Sequence, residues 1–357
     1  MSLRFHWRLS VWGGRSGIAS AANYSPQQCL RHLENDVNFC HRAEEIGIES
    51  LLIPFNYYRV DPLILSTALG MATKKLKFLV AYRPGLISPT LFVQQINTLS
   101  ALTNGRVSLN IIIGHSTQEQ GYYGDFLDTD RRYSRAKEFL QICHALWSQE
   151  ENFNFQGNYY QIENGQLGTP FIAPEGDRPE IYISGASTLA VKLTGQLGDC
   201  GLFLWSHPDK VRSRIQTLKK QGKEVGLRGS IIVRPTRKEA IEATYSLIES
   251  SNNLFVQEIF KTSDMELVKS AQKKNDIDPH AEENWLTPWL WKGAIPYCGP
   301  SSIALVGNPT DIASAIIEYK KIGCSQFILS GSPELETMNY FNQEVLPLIQ
   351  EMEKDIG

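Results

Sequence analysis

The feature that most constrains this chain is a recurrence of eight short apolar runs, most of them separated by stretches with helical periodicity. Short, continuously apolar runs are typical of parallel strands that are buried on both faces. Their alternation with helices predicts an α/β fold built from βαβ units. The eight predicted strands are Leu3–Trp12, Ser50–Pro54, Lys77–Ala81, Val107–Ile113, Ile181–Ser184, Leu202–Trp205, Ser230–Val233 and Gln326–Ser330.

Helix-starting and helix-ending signals lie between these runs. The pattern of an N-cap followed by proline occurs twice, at Ser25–Gln27 and at Ser88–Thr90. Residues typical of the C-terminal end of a helix follow at Gly47 and at Asn104–Gly105. Eight strands favour a closed (β/α)8 TIM barrel, with an open doubly wound sheet as the alternative. The predicted helices span 26–47, 88–104, 132–147, 188–197, 208–222, 236–250, 310–322 and 335–354.

Two insertions interrupt the alternation in what we expect to be one domain spanning residues 1–357. Residues 150–179 are rich in glycine, proline, asparagine and aromatic residues, and they predict a hairpin-like insertion before strand five. Residues 252–306 form a longer insertion between strands seven and eight, with a predicted helix up to about Lys273. That helix is either a lid or a packed structural element, and we expect residues 292–303 to form a mobile lid.

Composition argues against several classes of protein. The chain has 35 basic and 38 acidic residues, so a strongly basic nucleic-acid-binding protein is not expected. None of its six cysteines forms a C-x-x-C pair, and we expect no metal site. No apolar run approaches the ~18 residues needed to cross a bilayer, and the N-terminus lacks the apolar core of a signal peptide. We therefore expect a reduced, cytoplasmic protein without a membrane partner.

In such a barrel the active site lies at the C-terminal ends of the strands. Those ends are poor in carboxylates, which argues against a metallohydrolase or a glycosidase, and no P-loop or Rossmann motif is present. The turn Ser184–Ser187 opens a helix, so it either binds an anion or Ser187 simply caps that helix. Asn110, in an apolar strand, is either a ligand contact or a satisfied core amide. His115, just after that strand, is either structural or catalytic.

A series of motifs runs along nearly the whole chain: Leu51–Pro54, Leu76–Pro84, Ser88–Thr90, Asn104–Arg106, Asn110, Gly114, Gln118–Glu119, Phe126–Asp128, Arg132–Tyr133, Ala304–Gly307, Ser330–Gly331 and Pro333–Glu336. Together these motifs resemble the bacterial luciferase-like flavin monooxygenases, and among them the alkanesulfonate monooxygenases. The resemblance implies a (β/α)8 barrel that is a homodimer or homotetramer. It also implies reduced FMN (FMNH2), supplied by a separate NAD(P)H-dependent flavin reductase, and O2 as the oxidant of a small-molecule substrate.

The resemblance also assigns residues by position. The FMN phosphate would be bound by Tyr133, Ser184, Gly185, Ala186 and Ser187. The ribityl chain and the flavin ring would be lined by Asn110, Gly114, His115 and Ser116. The candidate catalytic residues are Asn110, His115, Arg228 and Trp205, the last of which would flank the floor of the site.

The chain departs from the alkanesulfonate monooxygenases where a sulfonate would bind. Asn56–Arg59 replaces a loop containing a cysteine. A histidine, a tyrosine and a lid arginine of that family are replaced by Ser230, Ser332 and Cys298. Arg228 is retained and Arg59 could compensate, so an anionic substrate is one expectation and a bulkier, partly apolar one is the other. The candidate substrate-binding residues are Tyr57, Arg59, Arg228 and Cys298.

Three other functions stay open at this point. The chain could be a deazaflavin-dependent oxidoreductase of the same superfamily, which transfers hydride without O2. It could be a flavin-binding relative without catalytic activity. Independently of the resemblance, it could be a barrel enzyme that acts on a sugar phosphate.

Overall fold

Eight parallel strands close into a ring in the computed structural model, which describes residues 2–9, 26–150, 152–249 and 278–355. The strands are β1 (Arg4–Arg8), β2 (Ser50–Ile53), β3 (Lys77–Tyr82), β4 (Val107–Ile111), β5 (Phe153–Gln156), β6 (Gln161–Gly165), β7 (Glu180–Ser184), β8 (Cys200–Leu204), β9 (Glu224–Val233), β10 (Leu290–Trp291), β11 (Ala304–Gly307) and β12 (Gln326–Ser330). The ring runs β1–β2–β3–β4–β7–β8–β9–β12 and returns to β1. The predicted TIM barrel is thus confirmed and the open sheet is excluded.

Helices surround the ring. They are α1 (Pro26–Glu45), α2 (Pro62–Ala72), α3 (Pro89–Thr103), α4 (Thr117–Tyr122), α5 (Thr129–Trp147), α6 (Thr188–Leu197), α7 (Pro208–Lys220), α8 (Arg237–Glu249), α9 (Ile295–Cys298), α10 (Pro309–Lys321), α11 (Glu334–Tyr340) and α12 (Leu346–Lys354). The predicted N-cap at Ser25 lies outside the described residues, and Ser88 caps α3 by accepting from Leu91 N. No helix in the described ranges is long and apolar enough to cross a membrane.

The structure corrects the prediction at several elements. The first strand ends by Arg8, whereas the prediction extended it to Trp12, and residues 10–25 lie outside the described part. Strand seven begins at Glu224 rather than at Ser230, because a strand tolerates the glycines and arginine that interrupt its apolar run. The elements that were not predicted include the helices α2 and α4 and the strands β10 and β11, of which β11 extends the sheet beside β9.

The two insertions have different structures. Within residues 150–179, β5 and β6 form an antiparallel pair, which confirms the predicted hairpin. In the second insertion, the helix predicted up to about Lys273 lies outside the described residues. The segment 292–303 contains α9 and a short 3-10 helix, and Ile295 and Ser302 in it are buried. This segment packs beside β9 and lines the cavity described below.

A polar network closes the end of the barrel where the strands begin. His6, which is 1% exposed, contacts Ser50 Oγ through Nδ1 at 2.8 Å and Gln326 Oε1 through Nε2 at 3.0 Å. Arg4 bridges Glu180 and Glu224 at 2.5 and 2.7 Å. Because these groups satisfy one another, this end is sealed and the opposite end is left for a ligand.

Candidate functional site

A cavity of about 750 Å³ opens at the C-terminal ends of the barrel strands. That volume is in the range of sites that bind cofactors and small molecules. The described residues that line it come from seven ring strands or from the loops that follow them. One lining residue from each of β1, β2, β3, β4, β7, β8 and β9 is, in that order, Arg8, Phe55, Arg83, Asn110, Ser184, Trp205 and Arg228. The location is where a TIM barrel places its active site.

The turn after β7 forms one side of the cavity. Ser187 caps α6 by accepting a hydrogen bond from Ala190 N at 3.1 Å. Gly185 has a φ of +142°, and a Cβ at this position would lie 2.9 Å from Tyr133 Oη. The first N–H groups of a helix have no partner inside the helix and carry partial positive charge. The turn is therefore suited to bind an anion while its serine also caps the helix.

Tyr133 lies below this turn. Asp128 caps α5 by accepting from Arg131 N at 2.8 Å, and the helix then directs Tyr133 inward, where it is 9% exposed. Ser187 Oγ donates to Tyr133 Oη at 3.2 Å. Burial raises the pKa of Tyr133, so its hydroxyl stays neutral and can donate to an anion.

Asn110 presents an unsatisfied donor at the cavity. Its side chain is completely buried, and its Oδ1 accepts from Ser184 Oγ at 2.7 Å. Its Nδ2 has no hydrogen-bond partner. Trp205, on the adjacent side of the cavity, likewise has an Nε1 without a partner and stacks on Phe327 at 5.5 Å. Unpaired buried donors are costly, so two of them beside one cavity indicate a polar ligand.

The loop after β4 is fixed by hydrogen bonds of residues in and next to it. Gly114 and His115 line the cavity, whereas Ser116 is buried and caps α4 through Glu119 N at 3.1 Å. The Glu119 carboxylate accepts from Arg83 at 3.1 Å and from Tyr57 N at 3.2 Å. Glu119 thus links the loops after β2, β3 and β4 into one support for the site.

Three arginines line the part of the cavity formed by β9, β1 and the loop after β2. Arg8 forms an ion pair with Glu334 at 2.5 Å. Arg59 packs its guanidinium 5.5 Å from the Tyr58 ring centroid. Burial, together with the positive charges of Arg8 and Arg59, lowers the pKa of Arg228 to about 9. Burial also lowers the pKa of Arg59, and Arg8 acts in the same direction.

Most of the residues singled out from the sequence meet in this cavity. Those that line it are Arg59, Asn110, Gly114, His115, Tyr133, Ser184, Gly185, Ala186, Ser187, Trp205, Arg228 and Cys298. Two do not. Ser116 is turned to its capping role, and Tyr57 is 41% exposed and packs edge-on against Tyr58 and Tyr122.

Sequence reasoning missed several cationic residues of the lining. Arg8 was missed because the prediction extended β1 to Trp12, which placed Arg8 inside the strand. The strand in fact ends at Arg8, so this side chain lies at the end of the barrel where the site is. Arg83 was recognised only as part of a motif. The remaining missed cations are Lys210, Arg214 and Lys292. Among the described residues no group of three His, Cys, Asp or Glu side chains is placed to bind a metal ion.

Comparison with known proteins gives a consistent result. A family model described as luciferase-like monooxygenase matches residues 13–326. A riboflavin lyase (RcaE), crystallised with modified FMN and riboflavin, has a TM-score of 0.79 at 16% identity, covering 99% of this chain and 92% of that one. EDTA monooxygenase (EmoA) from Chelativorans sp. BNC1 has a TM-score of 0.73 at 19% identity, covering 99% and 94%.

An enzyme that uses a different cofactor shares the same architecture. An F420-dependent secondary alcohol dehydrogenase, in complex with an F420-acetone adduct, has a TM-score of 0.66 at 17% identity, covering 98% of this chain and 99% of that one. At these identities the three likenesses concern the fold. The family match, which spans most of the chain, is the finding that bears on membership.

Proposed function

Because this chain belongs to the luciferase-like monooxygenase family, we propose that it binds reduced FMN and uses O2 to oxygenate a small organic substrate. The observation that carries the proposal is the polar arc formed by Asn110, Ser184–Ser187 and Tyr133. This arc places the N-terminus of α6 and the unpaired Nδ2 of the buried Asn110 in the same cavity.

The residues of this arc match the groups of FMN. The phosphate fits the Ser184–Ser187 turn, because the turn offers backbone N–H groups, a hydroxyl and the neutral Tyr133. Lys210 and Arg214, on α7 beside the turn, add positive charge at the same side. A hydroxyl or carbonyl oxygen of the flavin would satisfy the orphaned Asn110 Nδ2. The apolar wall that includes Leu202 and Phe203 suits the ring.

The protein's own contribution is to orient the reactants and exclude water. When bound, reduced FMN supplies the electrons that activate O2. Trp205 stacks on Phe327 and packs against the tilted ring of Tyr319, so it offers a fixed surface at the floor of the cavity. The segment 292–303 covers one wall and limits the access of water, which suppresses unproductive oxidation of the cofactor.

We further propose that the reduced cofactor comes from a separate NAD(P)H-dependent flavin reductase. The sequence has no strand-linked G-x-G-x-x-G motif of the kind that binds a nicotinamide dinucleotide. The cavity opens to solvent beside the exposed Ala186 and Ser187, so a diffusible cofactor could enter.

Anaerobic titration with FMNH2, followed by mixing with O2 and candidate substrates, tests the proposal. We expect saturable binding of FMNH2 and substrate-dependent O2 uptake with incorporation of one oxygen atom into the product. Ser184→Ala and Tyr133→Phe should weaken FMNH2 binding by about 1–3 kcal/mol. Ser213→Ala, on the exposed face of α7, is the matched control and should bind normally. Absence of FMNH2 binding in the wild type would refute the proposal.

A second candidate function is hydride transfer with a deazaflavin such as F420, favoured by the similarity to the F420-dependent alcohol dehydrogenase. The two candidates differ in their need for O2. Oxidation of an alcohol under strict anaerobiosis with F420, and no turnover with FMNH2 and O2, would decide for the second.

A further inference from the structure

The cavity contains two separate groups of anion-binding residues on opposite sides of the barrel mouth. In the ring order, β7 lies four strands from β1 in either direction, so the two strands face each other. The proposed flavin arc occupies β4, β7 and the adjoining β8. The other arc runs over β9, β12, β1 and β2, whose ends and following loops carry Arg228, Glu334, Arg8 and Arg59.

The second arc has an excess of positive charge. Among the described residues, the carboxylate that pairs with these three guanidinium groups is that of Glu334, which lies 2.5 Å from Arg8. No carboxylate of the described residues lies within ion-pair distance of Arg59 or Arg228. Within the part of the chain that the structure describes, three positive charges and one negative charge therefore leave a net charge of +2. The neighbouring Arg83 adds nothing to it, because Glu119 neutralises this arginine at 3.1 Å.

This excess charge lies within the cavity, where all three arginines are half-buried. Burial and the mutual repulsion of the cluster lower the pKa of Arg228 and of Arg59. Arg59 Nε is buried without a hydrogen-bond partner. Enclosed like charges raise the free energy of the empty site, and an anion that pairs with them removes that penalty. The arrangement therefore favours an anionic ligand, and the proposed FMN phosphate site is on β7, which faces β1 across the ring.

We propose that the Arg8–Arg59–Arg228 cluster makes the enzyme specific for organic substrates that carry two negative charges, as a phosphate, a phosphonate or a pair of carboxylates. A monoanion such as a sulfonate would leave one enclosed positive charge unpaired. A dianion balances the cluster, and planar guanidinium groups can donate to its oxygens in pairs. This inference rests on the proposed function, since it assigns the substrate of the same site.

The test compares phenyl phosphate, a dianion at pH 7.5, with phenyl sulfate, a monoanion of nearly the same shape. Calorimetric titration of the flavin-free protein measures both affinities. We expect phenyl phosphate to bind at least about tenfold more tightly, in line with the strength of charge-assisted hydrogen bonds. Equal affinities, or tighter binding of phenyl sulfate, would overturn the proposal.

Variants of the cluster test whether phenyl phosphate binds at these arginines. Arg59→Gln and Arg228→Gln should weaken phenyl phosphate binding about tenfold or more and remove the preference over phenyl sulfate. Arg59→Lys keeps the charge and should keep the preference. Arg234→Gln, near the barrel mouth but outside the cavity lining, is the matched control. Glu334→Gln removes the negative charge that pairs with Arg8 and should tighten the binding.

The outcomes separate this inference from the proposed function. If Ser184→Ala rather than Arg59→Gln weakens phenyl phosphate binding, the ligand occupies the flavin subsite and the inference is wrong. If Arg59→Gln instead weakens FMNH2 binding and leaves phenyl phosphate unchanged, the cluster serves the cofactor and the inference is again wrong. Failure of FMNH2 to bind refutes the proposed function alone, because the titrations with phenyl phosphate contain no flavin.

Discussion

At the residue scale, a network of hydrogen-bonded side chains lies at one end of the barrel, and buried donors without partners line the cavity at the other end. At the end where the strands begin, His6, Ser50, Gln326 and Tyr182 satisfy one another. At the other end, Asn110 and Trp205 keep donors without partners. Since unsatisfied buried donors are destabilising, the second pattern persists where a ligand completes it.

The buried His6 makes stability depend on pH. Burial lowers the pKa of His6 from 6.5 to about 4, so the imidazole is neutral in the folded protein at pH 7. Between pH 6.5 and 4 the unfolded chain takes up a proton that the folded protein does not. Stability is therefore lost as the pH falls, by about 2–3 kcal/mol between pH 7.5 and 4.5 from this group.

Urea unfolding of the wild type and of His6→Gln at both pH values measures this contribution. We expect the loss of stability on acidification to be smaller in the variant by that amount. His41→Gln, at an exposed position on α1, is the control and should follow the wild type. Parallel pH dependence of the wild type and His6→Gln would show that His6 does not remain neutral in the fold.

Glu119 gives a second prediction at this scale. Glu119 joins three loops of the site: its carboxylate accepts hydrogen bonds from Arg83 and from Tyr57 N, and its backbone N–H donates to Ser116 Oγ. Glu119→Gln should leave the fold intact but weaken FMNH2 binding about three- to tenfold, because one charge-assisted bond to Arg83 is lost. Titration with FMNH2 and a thermal melt together distinguish this positioning effect from unfolding.

At the scale of elements, the sequence predicted what local chemistry determines. The ends of α3 and α6, the hairpin of β5 and β6 and the eight-strand count all follow from caps, turns and apolar runs. The helix α2 was missed because its sequence is apolar all round and shows no helical stripe, although Asp61 caps it through Leu63 N and Ile64 N. The side of α2 that is buried is determined by its packing against the barrel and α3, which the local sequence does not indicate.

The strands β9 and β11 were mispredicted for a related reason. β9 changes partners along its length: its first half pairs with β8 and β12 in the ring, and its last residues pair with β11 outside it. A short apolar run has no feature that specifies such an exchange. The number of cationic residues in the site was underestimated for a similar reason. Arg8 lies in the site because β1 ends there, and the apolar run does not specify that end.

Helix ends provide a matched test of backbone strain. Gly47 and Gly105 both have a positive φ, at 76° and 78°. A Cβ on Gly47 meets nothing within 4 Å, whereas one on Gly105 would lie 2.6 Å from the backbone Cα of Ala173. Gly47→Ala should cost about 1–2 kcal/mol from the left-handed conformation. Gly105→Ala should cost about 1–3 kcal/mol more, because the residues 172–173 must move. Chemical denaturation of both variants measures the difference, and equal losses would contradict it.

At the scale of the whole molecule, charge is unevenly distributed. The chain has a formal net charge of -3, yet seven of the described residues that line the cavity are Lys or Arg and one of them, Glu119, is acidic. A cationic mouth on a weakly acidic protein attracts anions and speeds their association in a salt-dependent way. Both proposed ligands, the FMN phosphate and an organic dianion, would benefit from this field.

The outer face of α2 and α3 has the opposite character. Its exposed residues carry no charge, and the large apolar ones among them are Ile64, Met71, Leu91 and Leu102, at 74, 62, 44 and 48% exposure. The remaining exposed residues of these helices are Ala68, Ala72, Gln94, Thr98 and Ala101. An uncharged, partly apolar face on two adjacent helices is typical of a protein–protein interface.

We predict that a second copy of the chain packs on this face to form a homodimer. Two helices from each copy would bury these side chains symmetrically, as an interface with two-fold symmetry requires. Light scattering after size exclusion should give the mass of a dimer for the wild type and of a monomer for the double variant Ile64→Glu and Met71→Glu, because the introduced charges would face each other in an apolar contact. Leu335→Glu, an exposed leucine on α11, should remain dimeric. A wild type that is monomeric at micromolar concentration would show that this face is not used for self-association.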